Sequence, residues 1–424
     1  MLSHEDNERI TRVGKGTPAG ELFRRYWQPA LLSEEIPEND CPPVRVRLLG
    51  EDLIAFRDST GKVGLVDAYC PHRHAPLFFG RNEDCGIRCL YHGWKFDTDG
   101  NCVDLPSEPA GTAMKARIKL KSYPVYEKAG IVFAYLGAPE KKPPVPDYEW
   151  MRIPSTHFFV SKTFEDCNYL QGLEGGLDTV HASFLHQLDI HSKTAPRMVD
   201  TSPKLEIERT PYGYYYVSTR NVGPDRRYVR LYHYIMPNQQ FRAHTKDFDG
   251  SMNKVPKLDG HFWVPCDDYS TNVYNMMCSY DMSWPLDPDY IEEWEYFSGR
   301  SKKQLIPGSY KLKSNRENDY FIDRHEQRTK TFSGIHGINT QDYAMQENMG
   351  SPIVDRTQEH LGTSDLAIVS MRRLMLEAIR DVEEGKDPRG LDPESCRNVR
   401  PYDDYIVGDK HWRDAFGKEI YAKW

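Results

Sequence analysis

Cys70-Pro71-His72-Arg73 and Cys89-Leu90-Tyr91-His92-Gly93-Trp94 decide how this chain reads. Each stretch offers one thiol and one imidazole on a short loop. Two thiolates and two neutral imidazoles are the donor set of a [2Fe-2S] cluster with mixed ligands. One iron takes both cysteines and the other both histidines, and the neutral ligands raise the reduction potential far above that of an all-cysteine cluster. A one-electron carrier is the first functional reading. The rival is structural zinc, which Cys/His pairs separated by a loop also hold. The flanks decide against it. Pro71 and Gly93 suit tight loops that bring backbone amides towards bridging sulfides, and Tyr91 and Trp94 can shield a cluster from water.

Around these loops the chain runs in short strand-like pieces, 44–49, 53–56 and 63–66, separated by turn residues at 50–52 and 58–61. A hairpin at 95–100 and strands at 118–126 and 131–136 complete a small antiparallel β domain with a Rieske-type cluster in its connections. Residues 138–146, Ala-Pro-Glu-Lys-Lys-Pro-Pro-Val-Pro, are Pro-rich and charged and mark a boundary close to 150. At 424 residues the chain exceeds a single ordinary core. The expected division is an N-terminal segment, 1–25, packing on the catalytic domain; a Rieske domain, 26–150; and a catalytic domain, 151–424. In the last, strands at 214–219 and 228–235 lie between helical segments. The clearest helix covers 364–384, with Thr363 or Ser364 to cap it, apolar Leu366, Val369, Leu374, Leu376 and Ile379 along it, and Gly385 past its end. The fold class is α+β, with a curved antiparallel sheet around a long helix.

A net charge of −8 argues against nucleic acid as partner. No apolar run approaches a membrane span and the N-terminus is polar, so a soluble, cytoplasmic protein is expected. Nine cysteines in so long a chain do not make a disulfide scaffold; Cys85 and Cys102, beside the cluster loops, read as reduced packing residues. Gly172-x-x-Gly175-Gly176 is no Rossmann turn, and without a flavin or dinucleotide fingerprint a separate reductase is implied.

A second constellation lies between 168 and 186, where Glu174, Asp178, His181 and His186 fall on nearby turns. Glu174, Asp178 and His181 are predicted to share a helical face. Two histidines five apart reach one metal only if the helix bends between them, so distortion is expected around 182–184. Two His, one carboxylate and open positions form the facial triad of non-haem Fe(II) oxygenases. The residues alone leave the third ligand open among Asp342, Glu347, Asp355 and Asp365. An electron carrier joined to a candidate iron site supplies electrons for O2 chemistry, and each motif strengthens the other.

Three groups carry a specific resemblance: Cys70-x-His72 with Cys89-x-x-His92, Asp178-x-x-His181-x-x-x-x-His186, and Gln341-Asp342 followed by Gln346-Glu347-Asn348. On them the chain resembles, over nearly its whole length, the oxygenase α subunits of Rieske non-haem iron ring-hydroxylating oxygenases, most of all the phthalate 4,5-dioxygenase type. The resemblance implies a helix-grip catalytic domain and a mononuclear Fe(II) held by His181, His186 and Asp342. O2 is then the co-substrate, and NADH electrons arrive through a separate flavin/iron-sulfur reductase. A carboxylate three residues before a ligand histidine can accept its free ring N–H. In similar enzymes the aspartate matching Asp178 bridges the iron to a Rieske histidine of a neighbouring subunit, in a head-to-tail trimer or stacked hexamer.

The function this implies is cis-dihydroxylation of an aromatic carboxylate, a phthalate or substituted benzoate. The alternative is O-demethylation of a methoxylated aromatic acid by monooxygenation. A Rieske protein that only carries electrons is a third reading, and it would need only the first domain. An anionic substrate needs cationic partners inside an acidic protein. Arg209, Arg220, Arg242, His244 and Lys246 lie in the strand region expected to line the pocket, and Arg209 and Arg242 are chosen for bidentate pairing with a carboxylate. Residues 239–258 read as a polar loop.

Overall fold

In the computed structural model, which describes all residues but 1, 111, 248, 351 and 424 and the side chains of 254 and 255, the cluster region comprises ten short strands. They are β1 (Gln28–Leu32), β2 (Val44–Leu48), β3 (Glu51–Arg57), β4 (Val63–Asp67), β5 (Arg81–Glu83), β6 (Gly86–Arg88), β7 (Lys95–Phe96), β8 (Cys102–Asp104), β9 (Val125–Lys128) and β10 (Ile131–Ala134). They form antiparallel sheets β1-β10-β9, β2-β3-β4 and β5-β6-β7-β8. Residues 118–126 do not form the one strand expected. Lys119 bridges to Asn101 in one sheet and Ser122 to Val66 in another, and Pro124, with no N–H to give a ladder, holds back β9 until Val125.

The larger sheet consists of β11 (Phe158–Glu165), β12 (Lys204–Thr210), β13 (Gly213–Gly223), β14 (Arg226–Ile235), β15 (Gln239–Lys246), β16 (Met252–Pro265), β17 (Thr271–Cys278) and β18 (Tyr402–Val407). Its order is β11-β17-β16-β15-β14-β13-β12, with β18 paired to β14. The segment 239–258 is therefore a strand, a turn and a strand, and not a loop. Asp247 N–H donates to Ser251 O at 3.0 Å and Gly250 N–H to Asp247 O at 2.9 Å; residue 248 lies outside the described residues. Alternation sorts each strand into two faces. On β14, Val229 and Leu231 pack with Val217, Ile406, Trp412 and Phe416, which sends Tyr228, Arg230 and Tyr232 to the opposite face, where they border a cavity.

The helices are α1 (His4–Thr11), α2 (Pro18–Phe23), α3 (Tyr169–Leu177), α4 (Pro196–Val199), α5 (Pro288–Ser298), α6 (Arg324–Thr329), α7 (Ile338–Gln346), α8 (Leu366–Glu383), α9 (Pro393–Arg397) and α10 (Trp412–Phe416). Neither Thr363 nor Ser364 caps α8. Both lie in a 3-10 turn closed by Gly362 N–H on Asp365 Oδ2 at 2.7 Å. Met371, Leu374, Met375, Ala378 and Ile379 bury its inner face.

Glu174 is not a metal ligand but the centre of a buried ion network behind α3. It accepts from Arg356 Nη2 at 2.9 Å and Arg372 Nε at 2.6 Å, while Arg356 Nη1 reaches Asn7 on α1 and Arg372 pairs with Glu359. Burial opposes ionisation of Glu174, and the two guanidinium groups outweigh it, holding its pKa below the ordinary carboxylate value. Removing one partner of a buried pair leaves uncompensated charge. Glu174→Gln is expected to lower unfolding free energy by about 3–5 kcal/mol, read as a drop in denaturant midpoint at unchanged slope.

Candidate active site

The cluster loops are the β4–β5 and β6–β7 connections, and they share one construction. Cys70 N–H donates to Ala75 O and His74 N–H returns to Cys70 O, both at 2.9 Å; Cys89 N–H donates to Trp94 O at 2.8 Å and Gly93 N–H returns to Cys89 O at 3.0 Å. Each loop turns through a left-handed residue at the fourth position after its cysteine, His74 at φ 55° and Gly93 at φ 73°. Both thiols are buried in a small core with Ile54, Phe56, Val66, Ile87 and Phe96. The histidines lie half-buried at its rim, their ring centroids 4.4 Å apart. Trp94 stacks on His72 at 4.2 Å, and Tyr91 leans on His92 at 4.1 Å. Burial, then the neighbouring Cys89, pushes the Cys70 thiol up to about 11. Two thiols facing each other in an apolar pocket, with imidazoles outside them, fit a cluster that compensates the thiolate charge from within. All nine cysteines are free of disulfides.

The second group is assembled by α3, the turn after it, and α7. The helix stops at Leu177, four residues short of His181. Asp178 is its C-cap, extended at ψ 122°, and Oδ1 of Asp178 accepts Val180 N–H at 2.7 Å. That local bond competes with continuation of the helix. The expected shared face for Glu174, Asp178 and His181, and a bend at 182–184, are thus both replaced by an earlier stop and a 3-10 turn over His181–Ser183. The glycines of α3 serve packing: a Cβ at Gly175 would stand 2.0 Å from Gln346 Nε2, and one at Gly176 2.1 Å from Trp263 Cη2. Without side chains at these positions α3 settles against α7 and β16, and that packing brings Asp342 of α7 to the histidines.

Ligand atoms of His181, His186 and Asp342 all lie within 4.8 Å of one another. Nε2 of His181 is 3.2 Å from Nε2 of His186, and Asp342 Oδ1 is 3.5 Å from the first and 3.2 Å from the second. Both rings are turned by a partner on their other nitrogen. His186 Nδ1–H donates to Gln341 Oε1 at 2.7 Å, Gln341 being fixed in turn by Nε2–H on Ile335 O; His181 Nδ1 faces Asp178 Oδ2 at 3.5 Å. Each histidine therefore presents Nε2 to the common point, as metal ligation requires. Burial disfavours charge on Asp342, and His186 and His181 outweigh it, holding the carboxyl below its ordinary pKa.

The other acids considered for the third position are engaged elsewhere. Glu347 accepts Asp166 N–H at 2.8 Å and the Tyr320 hydroxyl; Asp355 accepts Thr357 N–H; Asp365 accepts Gly362 N–H.

His181, His186, Asp342 and Asp178 border a cavity of about 380 Å³ against the sheet face that carries Tyr228, Arg230 and Tyr232. Arg220, Arg242, His244 and Lys246 border it as well. Arg209 does not. It lies on the edge strand β12, half-exposed, where its fork grips Glu377 of α8 at 2.8 and 2.9 Å. Arg220 is engaged by the carbonyls of Thr179 and Asp200. Arg242 Nη2–H donates to His261 Nε2 at 3.0 Å. The residues missing from the sequence reading are Arg197, Arg230 and Arg300, with the aromatic Trp294 and Phe297. Arg230 had a signal, its alternation with Tyr228 and Tyr232 along a strand; Arg197, on the four-residue α4, had none.

Residues 26–124 match the Rieske [2Fe-2S] domain, and residues 134–423 match the family described as LigXa C-terminal domain like. Over 439 aligned residues the chain is 36% identical to the phthalate 4,5-dioxygenase oxygenase subunit of Pseudomonas putida, covering 100% of this chain and 96% of that one. This chain belongs to the Rieske non-haem iron oxygenases. It is also 36% identical to the 3-chlorobenzoate-3,4-dioxygenase oxygenase subunit of Comamonas testosteroni, with 99% of each chain covered. The solved structure of dicamba monooxygenase bound to dicamba shares the fold at a TM-score of 0.59 and 18% identity, over 86% of this chain and 99% of that one. As a Rieske oxygenase subunit the protein uses a [2Fe-2S] cluster, mononuclear iron and O2, with electrons from a reductase component. Among the described residues no helix is long and apolar enough to cross a membrane.

Proposed function

We propose that Cys70, His72, Cys89 and His92 hold the cluster, that His181, His186 and Asp342 hold Fe(II), and that the enzyme dihydroxylates an aromatic carboxylate. Bound at the triad, the metal supplies open coordination positions for O2 chemistry. The observation that supports the acidic substrate is Arg230. Its Nε and Nη2 are buried with no hydrogen-bond partner, and no carboxylate lies within ion-pair distance of it among the described residues. Asp403, the residue opposite Arg230 on the paired strand, is engaged by Tyr228 Oη, Thr245 N–H and Thr245 Oγ1. Arg197, with its own buried and unpartnered Nε, adjoins the same wall. Buried guanidinium nitrogens are costly unless an anion meets them. Arg230 thus takes the place first given to Arg209, and Arg242 is retained beside it.

The division near residue 150, the head-to-tail trimer with Asp178 as bridge, NADH as the electron source and a cytoplasmic location belong to the same proposal. The N-terminal segment is counted with the catalytic domain on the contacts of α1: Tyr169 Oη donates to Ile10 O at 2.6 Å, and Arg9 pairs with Glu383 at 2.7 Å. The test is reductase-coupled O2 uptake over phthalates, halobenzoates and methoxylated aromatic acids, with products identified. Tight coupling is expected for at least one acid, and Arg230→Gln is expected to raise its KM roughly tenfold to a hundredfold. Uptake confined to neutral aromatics would refute the acid.

A further inference from the structure

The cavity wall is rich in donors, and one residue on it is built as an acceptor. His244, on β15, borders the cavity with its side chain 34% exposed. Its Nε2 stands 3.2 Å from Oδ2 of Asp259, which is buried. Asp259 is held ionised by Lys257, whose Nζ–H donates to Oδ1 at 3.2 Å. Lys257 in turn is pinned with Nζ 3.0 Å from the centre of the Trp294 ring. The contact lies outside hydrogen-bond geometry, since Asp259 Oδ2 has no hydrogen-bond partner among the described residues, yet a bare imidazole lone pair at this distance would be repelled by the carboxylate, which favours the proton of a neutral His244 on Nε2. Burial, then the charge of Arg230, lowers the His244 pKa well below the ordinary imidazole value, which keeps the ring neutral. Nδ1 is left with a lone pair. It has no hydrogen-bond partner among the described residues, and the ring that carries it borders the cavity.

We infer that His244 Nδ1 accepts a hydrogen bond from a ring hydroxyl of the substrate, which makes the preferred substrate a hydroxylated aromatic acid. The inference rests on the reading of this cavity as the substrate site and adds to it a second point of recognition. Arg230 offers donors for an anion, and His244 offers an acceptor for an O–H. A methyl ether at the same ring position has no proton to give, so the site discriminates between ring substituents that differ by one methyl group.

The experiment is calorimetric titration of the holoenzyme with paired probes: 3- and 4-hydroxybenzoate against the matching methoxybenzoates, and the neutral pair 4-methylphenol and 4-methylanisole. The hydroxyl member of at least one pair is expected to bind roughly tenfold more tightly. That preference should vanish in His244→Phe and persist in His244→Asn, whose side-chain oxygen can stand where Nδ1 stood. Equal affinity within every pair, or a preference that survives His244→Phe, overturns the inference while leaving the aromatic-acid reading intact. Binding of the neutral phenol alone, still dependent on His244, overturns the acid and upholds the hydroxyl. No binding by any probe overturns both.

Discussion

Asp342→Ala is expected to purify with about two irons per chain in place of about three, its Rieske spectrum unchanged and its turnover lowered by at least about a thousandfold. Three observations converge on that outcome. Asp342 contributes the only carboxylate oxygen among the described residues that stands with both histidine Nε2 atoms in one ligand-sized group. Gln341 and Asp178 hold those nitrogens towards it. The cluster lies in a separate core, formed by residues between Ile54 and Leu120, that Asp342 does not touch, so its loading should be indifferent to the substitution. Glu347→Gln supplies the control. Glu347 caps the C-terminus of the same helix but is bound to Tyr320 and Asp166, and it should keep the full iron count. Equal iron content in Asp342→Ala and the parent protein, by metal analysis, would remove Asp342 from the site.

The cluster motif was legible because its chemistry is local: both ligands of each loop fall within four residues, and the turn that presents them closes on itself. His181 and His186 were legible for the same reason. Asp342 was not, since spacing cannot choose among acids that approach through the packing of α3 on α7; resemblance ranked it and the tertiary structure brings it in. The helix prediction failed at Asp178 because periodicity records which residues are apolar and not that an aspartate side chain competes for the next amide. Arg209 and Arg230 show a related limit. Both lie on strands of the same sheet, yet Arg209 occupies the edge and meets Glu377, while Arg230 occupies an inner strand and faces the cavity. Strand order, which puts β14 inside and β12 at the margin, is not written in either segment alone.

Asp178→Asn separates two roles that a single carboxylate can play. The substitution keeps the shape and an oxygen for Val180 N–H, so the stop of α3 and the presentation of His181 should persist. What changes is the charge opposite His181 Nδ1. In the parent chain burial disfavours that charge, yet His181 holds the Asp178 carboxyl below its ordinary pKa, and Asp178 with Asp342 raises the His181 pKa against the effect of burial. If Asp178 only orients a ligand, the variant loses iron affinity, and added Fe(II) restores turnover. If it is the bridge along which electrons reach the mononuclear site from a neighbouring subunit's cluster, both sites load fully and the cluster is reduced at the parent rate. Its reoxidation in the presence of substrate and O2 then slows by about tenfold to a hundredfold, and Fe(II) does not rescue it. The second outcome is expected. Asp178 stands at the cavity border with a quarter of its side chain exposed and no cationic partner besides His181 among the described residues, a placement that leaves one edge of the carboxylate open to a group arriving from outside the chain. Stopped-flow reoxidation of the reduced cluster, with and without supplementary iron, decides between them.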